Sequence, residues 1–193
     1  MKAIAIFCGS ATGTDPIFLQ SAQHVGEILA KNNLSLVYGG GKVGLMGAVA
    51  DSVLAHGGRA IGVMPRALVD REIAHTGLSE LYVVENMHQR KMQMSELADG
   101  FIALPGGAGT LEEIYEQWTW AQLGIHEKPC AFLNINAYYQ PLLDMVQLMV
   151  DKGFTQPRYA EMLIQSDNIA DILTAFKHYR APQAKWTNAN VKP

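Results

Sequence analysis

The chain is expected to fold as one doubly wound, Rossmann-like α/β domain around a parallel sheet, on three observations. Short apolar runs rich in β-branched residues alternate with longer helical patterns along the sequence. The apolar runs are continuous rather than alternating with polar residues, as in strands buried on both faces of a parallel sheet. Two strand-to-helix turns are rich in glycine, and in such sheets ligands bind beyond the carboxyl ends of the strands, near the switch in strand order.

The elements follow in order. KAIAIFC (2–8) reads as the first strand, with a helix at about 16–31, and LSLVY (34–38) as the second, with a helix at about 44–56. RAIGVM (59–64) and LYVVE (81–85) supply two more strands, and a helix at about 87–98 leads to FIAL (101–104). Beyond it come a helix at about 110–123, the strand CAFLNI (130–135), a helix at about 138–151, the strand MLIQS (162–166) and a helix at about 168–180. Parallel neighbours joined by helices take right-handed crossovers. PRALVDREIAHTG (65–77) follows a strand end and is expected as a loop or short helix over the active face. No repeat or low-complexity linker interrupts the series, so residues 1–180 read as the domain and 181–193 as a loosely ordered tail.

Composition narrows the function classes. A net charge of −3 leaves no basic footprint for nucleic acid and no polybasic patch for a membrane surface. MKAIAIFCGS carries one lysine and an apolar run of about six residues, too short for a signal peptide or a membrane span, so a cytoplasmic protein is expected. Cys8 and Cys130 each lie in or beside an apolar run and are expected as buried free thiols, with no zinc site.

Two turns bear on ligand binding. VYGGGKVGLMG (37–47) satisfies the spacing Gly-x-Gly-x-x-Gly with Gly39, Gly41 and Gly44, after a strand and before a helix. A dinucleotide site would place a carboxylate at the end of the following strand, which here reads GVMPR. Lys42 precedes Val43, so the Walker pattern is absent as well. In LPGGAGTLEE, the glycines and the helix dipole favour an anion, with Thr110 expected as the helix N-cap and two glutamates in the first turn. Ser10, in CGSATGT (8–14), is expected at the same rim, and Gly40 and Gly41 as part of the neighbouring turn.

Two helices carry charge in unusual places. In NMHQRKMQMSELAD (86–99), Met87, Met94, Leu97 and Ala98 define one helical face, and Arg90 and Lys91 fall inside that stripe. Inward-facing cations need anionic partners, and a guanidinium suits bidentate recognition of phosphate or carboxylate. In the helix after GGAGT, Leu111, Ile114, Tyr115 and Trp118 are expected to be buried, leaving Glu112, Glu113, Glu116 and Thr119 off that stripe.

VYGGGKVGLMGAVADSVLAHGGRAIGVMP, MHQRK and LPGGAGTLEE together resemble the Lonely Guy (LOG) family of nucleotide phosphoribohydrolases, cytokinin-activating enzymes formerly labelled lysine decarboxylases. TWAQLGIHEKP (119–129) looks like the family too, and the similarity runs from about residue 2 to about 180. It implies a Rossmann-like homodimer, without metal or organic cofactor, that hydrolyses the N-glycosidic bond of an adenine-type nucleoside 5′-monophosphate. It also implies that Arg90 and Glu113 are the catalytic pair. Glu72, Lys91, Thr119 and the turn Gly106, Gly107, Ala108, Gly109, Thr110, Leu111 and Glu112 match substrate-contacting positions. One departure is Gly9-Ser10-Ala11, where the family often has Gly-Ser-Ser. On this reading Glu113 acts on water and the cationic sugar, and Glu112 or Glu72 grips ribose hydroxyls or the base. The alternatives are a non-catalytic nucleotide carrier and a pyridoxal-dependent decarboxylase. The second would need a Schiff-base lysine, and only Lys42 and Lys91 stand near the expected site.

Overall fold

The computed structural model describes residues 1–71 and 74–185. Among them, seven strands form one parallel sheet in the order β4-β3-β2-β1-β5-β6-β7. The series runs β1 (Ala3–Phe7), α1 (Pro16–Lys31), β2 (Ser35–Tyr38), α2 (Gly44–Ala55), β3 (Ala60–Pro65), α3 (Arg66–Val69), β4 (Glu80–Val84) and α4 (Met87–Leu97). It continues with β5 (Phe101–Ala103), α5 (Ala108–Leu123), β6 (Cys130–Leu133), a 3-10 turn (Ile135–Ala137), α6 (Gln140–Asp151), α7 (Pro157–Ala160), β7 (Leu163–Ser166) and α8 (Ile169–His178).

Local chemistry sets the helix ends. Asp15 caps α1 by accepting from the Ile17 amide, with Pro16 at the first helical position, where its missing N–H costs nothing. Asn86 caps α4 by accepting from the Gln89 amide, and α5 stops at Gly124 in the left-handed region (φ 75°). Alternation along the strands then splits the core between two faces. Ile4, Ile6, Leu36 and Tyr38 pack with α1, α2 and α8, while Ala5, Phe7, Val37 and Val63 pack with Met94 of α4 and Ile114 and Trp118 of α5. Both cysteines are buried free thiols.

The chain winds outward from β1 through β4, then returns to place β5 on the other side of β1: Ala5 pairs with both Val37 and Phe101. The switch point therefore lies between β1 and β5. The two glycine-rich turns are not on adjacent strands, because β1 and its own turn at Gly9-Ser10 stand between them. Three strand ends are joined there: the Gly9 amide donates to Pro105 O (3.1 Å), and the Leu45 amide donates to Gly9 O (3.1 Å). Gly44 (φ +58°) packs against the Ser10 backbone so closely that a Cβ would overlap it.

Several expectations need correction. Helix α5 begins at Ala108, with Gly107 as its cap, so Thr110 is the third helical residue and not the N-cap. Glu112 and Glu113 consequently fall in the second turn. Glu113 is buried, whereas Leu111 and Tyr115 are only half-buried. Met87 is 44% exposed, outside the buried face that Arg90, Lys91, Met94 and Ser95 form. The segment at 65–77 opens with the single helical turn α3 and later lays Ala74 against Gly41 in an isolated bridge. Glu72 lies outside the described residues, as do the last eight residues of the tail. Residues 181–185 carry no helix or strand, and the Lys185 amide donates to Gln122 O.

Candidate active site

Arg90 reaches across three elements. Its Nε donates to Val63 O of β3 (3.2 Å), and its Nη1 donates to Glu113 Oε1 of α5 (2.7 Å). Its Nη2 lies over Gly39, at the end of β2, where any Cβ would overlap it. Both side chains of the pair are only 11% exposed. The cation is thus bound by a carboxylate, a carbonyl and a cradle made by the absence of a side chain, which is how a buried charge becomes tolerable.

The pair also explains why Glu113 can leave the apolar stripe and still be buried. Its burial pushes the carboxyl above the usual glutamate range, against the opposite pull of the Arg90 guanidinium. Cys8 lies close enough to feel that carboxylate, and burial together with the Glu113 charge pushes its thiol far up, so it is an inert neighbour.

A second ion cluster lies one residue along. Lys91 Nζ donates to Glu112 Oε1 and to Glu116 Oε1 (3.0 Å). Burial works to lower its pKa, but the hydrogen bonds to Glu112 and Glu116 outweigh it and leave the ammonium above its ordinary value. A lysine held protonated in this way is a poor Schiff-base nucleophile. Lys42 is exposed.

Beside the pair is the N-terminus of α5. Gly107, Ala108 and Gly109 are exposed there, and Gly107 and Gly109 have open space where a Cβ would stand. Thr110 is buried, its hydroxyl occupying the volume above Gly106 that a side chain would otherwise fill. A cavity of about 310 Å³ opens at the β1–β5 crevice, lined by Ser10, Phe18, Leu45, Pro105, Gly106 and Tyr138 among others. Exposed amides at a helix N-terminus favour an anion, and the crevice stands at the switch point.

The comparisons with known proteins meet this geometry. A family model described as possible lysine decarboxylase matches residues 46–176. The cytokinin riboside 5′-monophosphate phosphoribohydrolase LOG7 of Arabidopsis thaliana is 45% identical over 179 residues, covering 92% of this chain and 82% of that protein. The cytokinin riboside 5′-monophosphate phosphoribohydrolase of Rhodococcoides fascians is 45% identical over 177 residues, covering 91% and 89%. The chain belongs to the Lonely Guy family. Among solved structures, the molybdenum cofactor binding protein of Rippkaea orientalis superposes with a TM-score of 0.70 at 19% identity, covering 92% of this chain and 96% of that one. That is a likeness of fold alone.

Of the positions that match the Lonely Guy motifs, the structure gathers Arg90, Lys91, Glu112 and Glu113 into two contiguous ion clusters beside the Gly106–Thr110 turn. Ser10 shares the rim with that turn, and Gly40 and Gly41 are buried at the end of β2. Leu111 is half-buried on α5. Thr119 is not gathered with them: it is exposed about 13 Å further along the helix axis than Thr110, and its hydroxyl donates to Tyr115 O. Three contributors escaped the sequence reading, namely the Val63 carbonyl, the cradle at Gly39 and the pair Tyr138-Tyr139. A carbonyl leaves no mark in a sequence, and the tyrosines come from a different part of the chain. Among the described residues, no group of three His, Cys, Asp or Glu side chains could hold a metal ion. No helix among them is long and apolar enough to cross a membrane.

Proposed function

We propose that this chain hydrolyses the N-glycosidic bond of an adenine-type nucleoside 5′-monophosphate in the cytoplasm, giving the free base and ribose 5-phosphate. The observation that carries this reading is the buried Arg90–Glu113 pair beside an exposed helix N-terminus. The α5 amides offer a place for the 5′-phosphate. Breaking the bond between C1′ and the base nitrogen leaves an oxocarbenium-like sugar, whose positive charge a carboxylate stabilises. Glu113 takes one proton from the attacking water as the new C1′–O bond forms and the C1′–N bond breaks; the other proton stays on the new C1′ hydroxyl, and the one taken by Glu113 ends on the departing base. A carboxyl raised above its ordinary range is a better base near neutral pH than a solvated glutamate. Arg90 holds that carboxylate in place. Glu112, half-exposed at the mouth, is available to ribose hydroxyls.

The family membership and the curated relatives support this chemistry. We also propose a homodimer, for which edge strand β4 offers an apolar surface: Leu81, Tyr82 and Val83 are each 37% exposed. The test is incubation with AMP and with its N6-isopentenyl derivative, followed by chromatography for free base. Release from either one, lost in Glu113→Gln, supports the hydrolase. Retention of intact nucleotide with measurable binding would instead make the protein a carrier. An absorbance band from an internal aldimine on addition of pyridoxal phosphate would restore the decarboxylase reading, which the ion-paired Lys91 opposes.

A further inference from the structure

Three consecutive carbonyls lead into the glycine turn, and each is tied by a donor from elsewhere in the chain. Leu104 O accepts from the Tyr139 hydroxyl (2.5 Å), Pro105 O from the Gly9 amide (3.1 Å), and Gly106 O from the Tyr138 hydroxyl (2.6 Å). The two tyrosines arrive from the segment after β6, more than 30 residues downstream. Their delivery is strained: Asn136 (φ 51°) and Ala137 (φ 55°) both take the left-handed conformation, which costs a residue with a Cβ. Tyr139 is buried, so packing accounts for it. Tyr138 is 43% exposed, and apart from edge contacts with Phe18 and Tyr139 its side chain is held by the bond to Gly106.

That bond has a directional effect. In a trans peptide unit the carbonyl and the next amide point in opposite directions. Holding Gly106 O toward Tyr138 therefore fixes the Gly107 N–H toward the other side, at the start of α5. It also keeps a carbonyl dipole from turning toward an anion. Gly106 and Gly107, without side chains, could otherwise rotate this peptide at little cost.

We propose that Tyr138 is a positioning residue for anion binding, setting the orientation of the Gly106–Gly107 peptide through its hydroxyl. The inference rests on the reading that the α5 N-terminus holds the phosphate of the substrate. Tyr138→Phe keeps the ring and its contacts and removes only the donor. In calorimetric titrations, ribose 5-phosphate should bind the variant about tenfold more weakly, the loss typical of one hydrogen bond. Binding of adenine should stay at the parent value, and so should the melting temperature. In turnover the same variant should raise KM and leave kcat near the parent value.

Equal affinity for ribose 5-phosphate in parent and variant overturns the inference. So does a parallel loss of adenine binding, which would show a general loosening of the site. Because the titration needs no turnover, a parent that binds ribose 5-phosphate but releases no base overturns the hydrolase reading while leaving this one to the comparison. If the parent binds no phosphorylated ligand at all, the role of Tyr138 falls with the phosphate site.

Discussion

Gly39→Ala is the sharpest test of how the Arg90–Glu113 pair is held. Gly39 needs no left-handed backbone, so alanine meets no conformational penalty, and its new methyl would collide with Arg90 Nη2 alone at short range. The obstacle is the end of a flexible side chain, so the fold survives and the guanidinium retreats. Restoring van der Waals separation requires a shift of about 1 Å. Applied to a 2.7 Å bond, that shift stretches Arg90–Glu113 beyond hydrogen-bonding range. A hydrogen bond between charged groups contributes about 1.5–3 kcal/mol, which corresponds to roughly a 10- to 150-fold loss in kcat/KM. The assay is base release from AMP by single variants and by the double variant with Arg90→Ala. In the Arg90→Ala background the added methyl has nothing to displace, so it should cost almost nothing more. Parent-like activity in Gly39→Ala, or a loss that simply adds to that of Arg90→Ala, would refute the cradle.

Other expected outcomes follow from the same geometry. Glu113→Ala and Arg90→Ala should each lower turnover by orders of magnitude while leaving the circular dichroism spectrum unchanged; near-parental hydrolysis of AMP by either sinks the role given to that residue. The acid limb of kcat/KM should lie above the ordinary glutamate pKa, because burial raises Glu113 and its carboxylate is the working form. Removing Arg90 deletes the opposing pull, so in a low-activity Arg90→Gln variant that limb should move to still higher pH. The sign for stability is the reverse of the usual acidic case: a raised folded-state pKa favours the fold below the unfolded value, and that contribution is lost as pH rises through the folded value. Glu113→Gln should therefore flatten the pH dependence of unfolding across that window. Ala137→Gly should raise the melting temperature, since it relieves a left-handed alanine at a cost of about 1–2 kcal/mol, partly offset by the greater freedom of glycine in the unfolded chain. No gain on calorimetry would argue against strain at that turn.

The sheet was legible because its central strands are buried on both faces, which writes them as uninterrupted apolar runs such as AIAIF or CAFL. Helix bounds were legible where side chains set them, as with Asp15 and Pro16 at the start of α1. They were misread where backbone sets them. At Gly107 no side chain caps α5, so Thr110, a good cap by residue type, drew the boundary too late. The inward cations of α4 were visible as charge inside an apolar stripe. Glu113 was not visible as a buried residue, because periodicity scores it as polar and its burial depends on Arg90, 23 positions earlier. Tyr138, and the part Gly39 plays beneath Arg90, were missed for a related reason, since what matters about them is the partner each meets across the fold.

The tyrosine ties also have a temporal meaning for a chain made from its amino end. A nascent chain that had reached only Leu123 would already contain every glycine of the turn and both Arg90 and Glu113. It would still lack Tyr138 and Tyr139, and with them the donors that tie down two carbonyls of that segment. The motif is thus complete as text long before it is complete as a receptor. The turn takes its final orientation only once β6 and the turn after it have brought the two tyrosine hydroxyls to it.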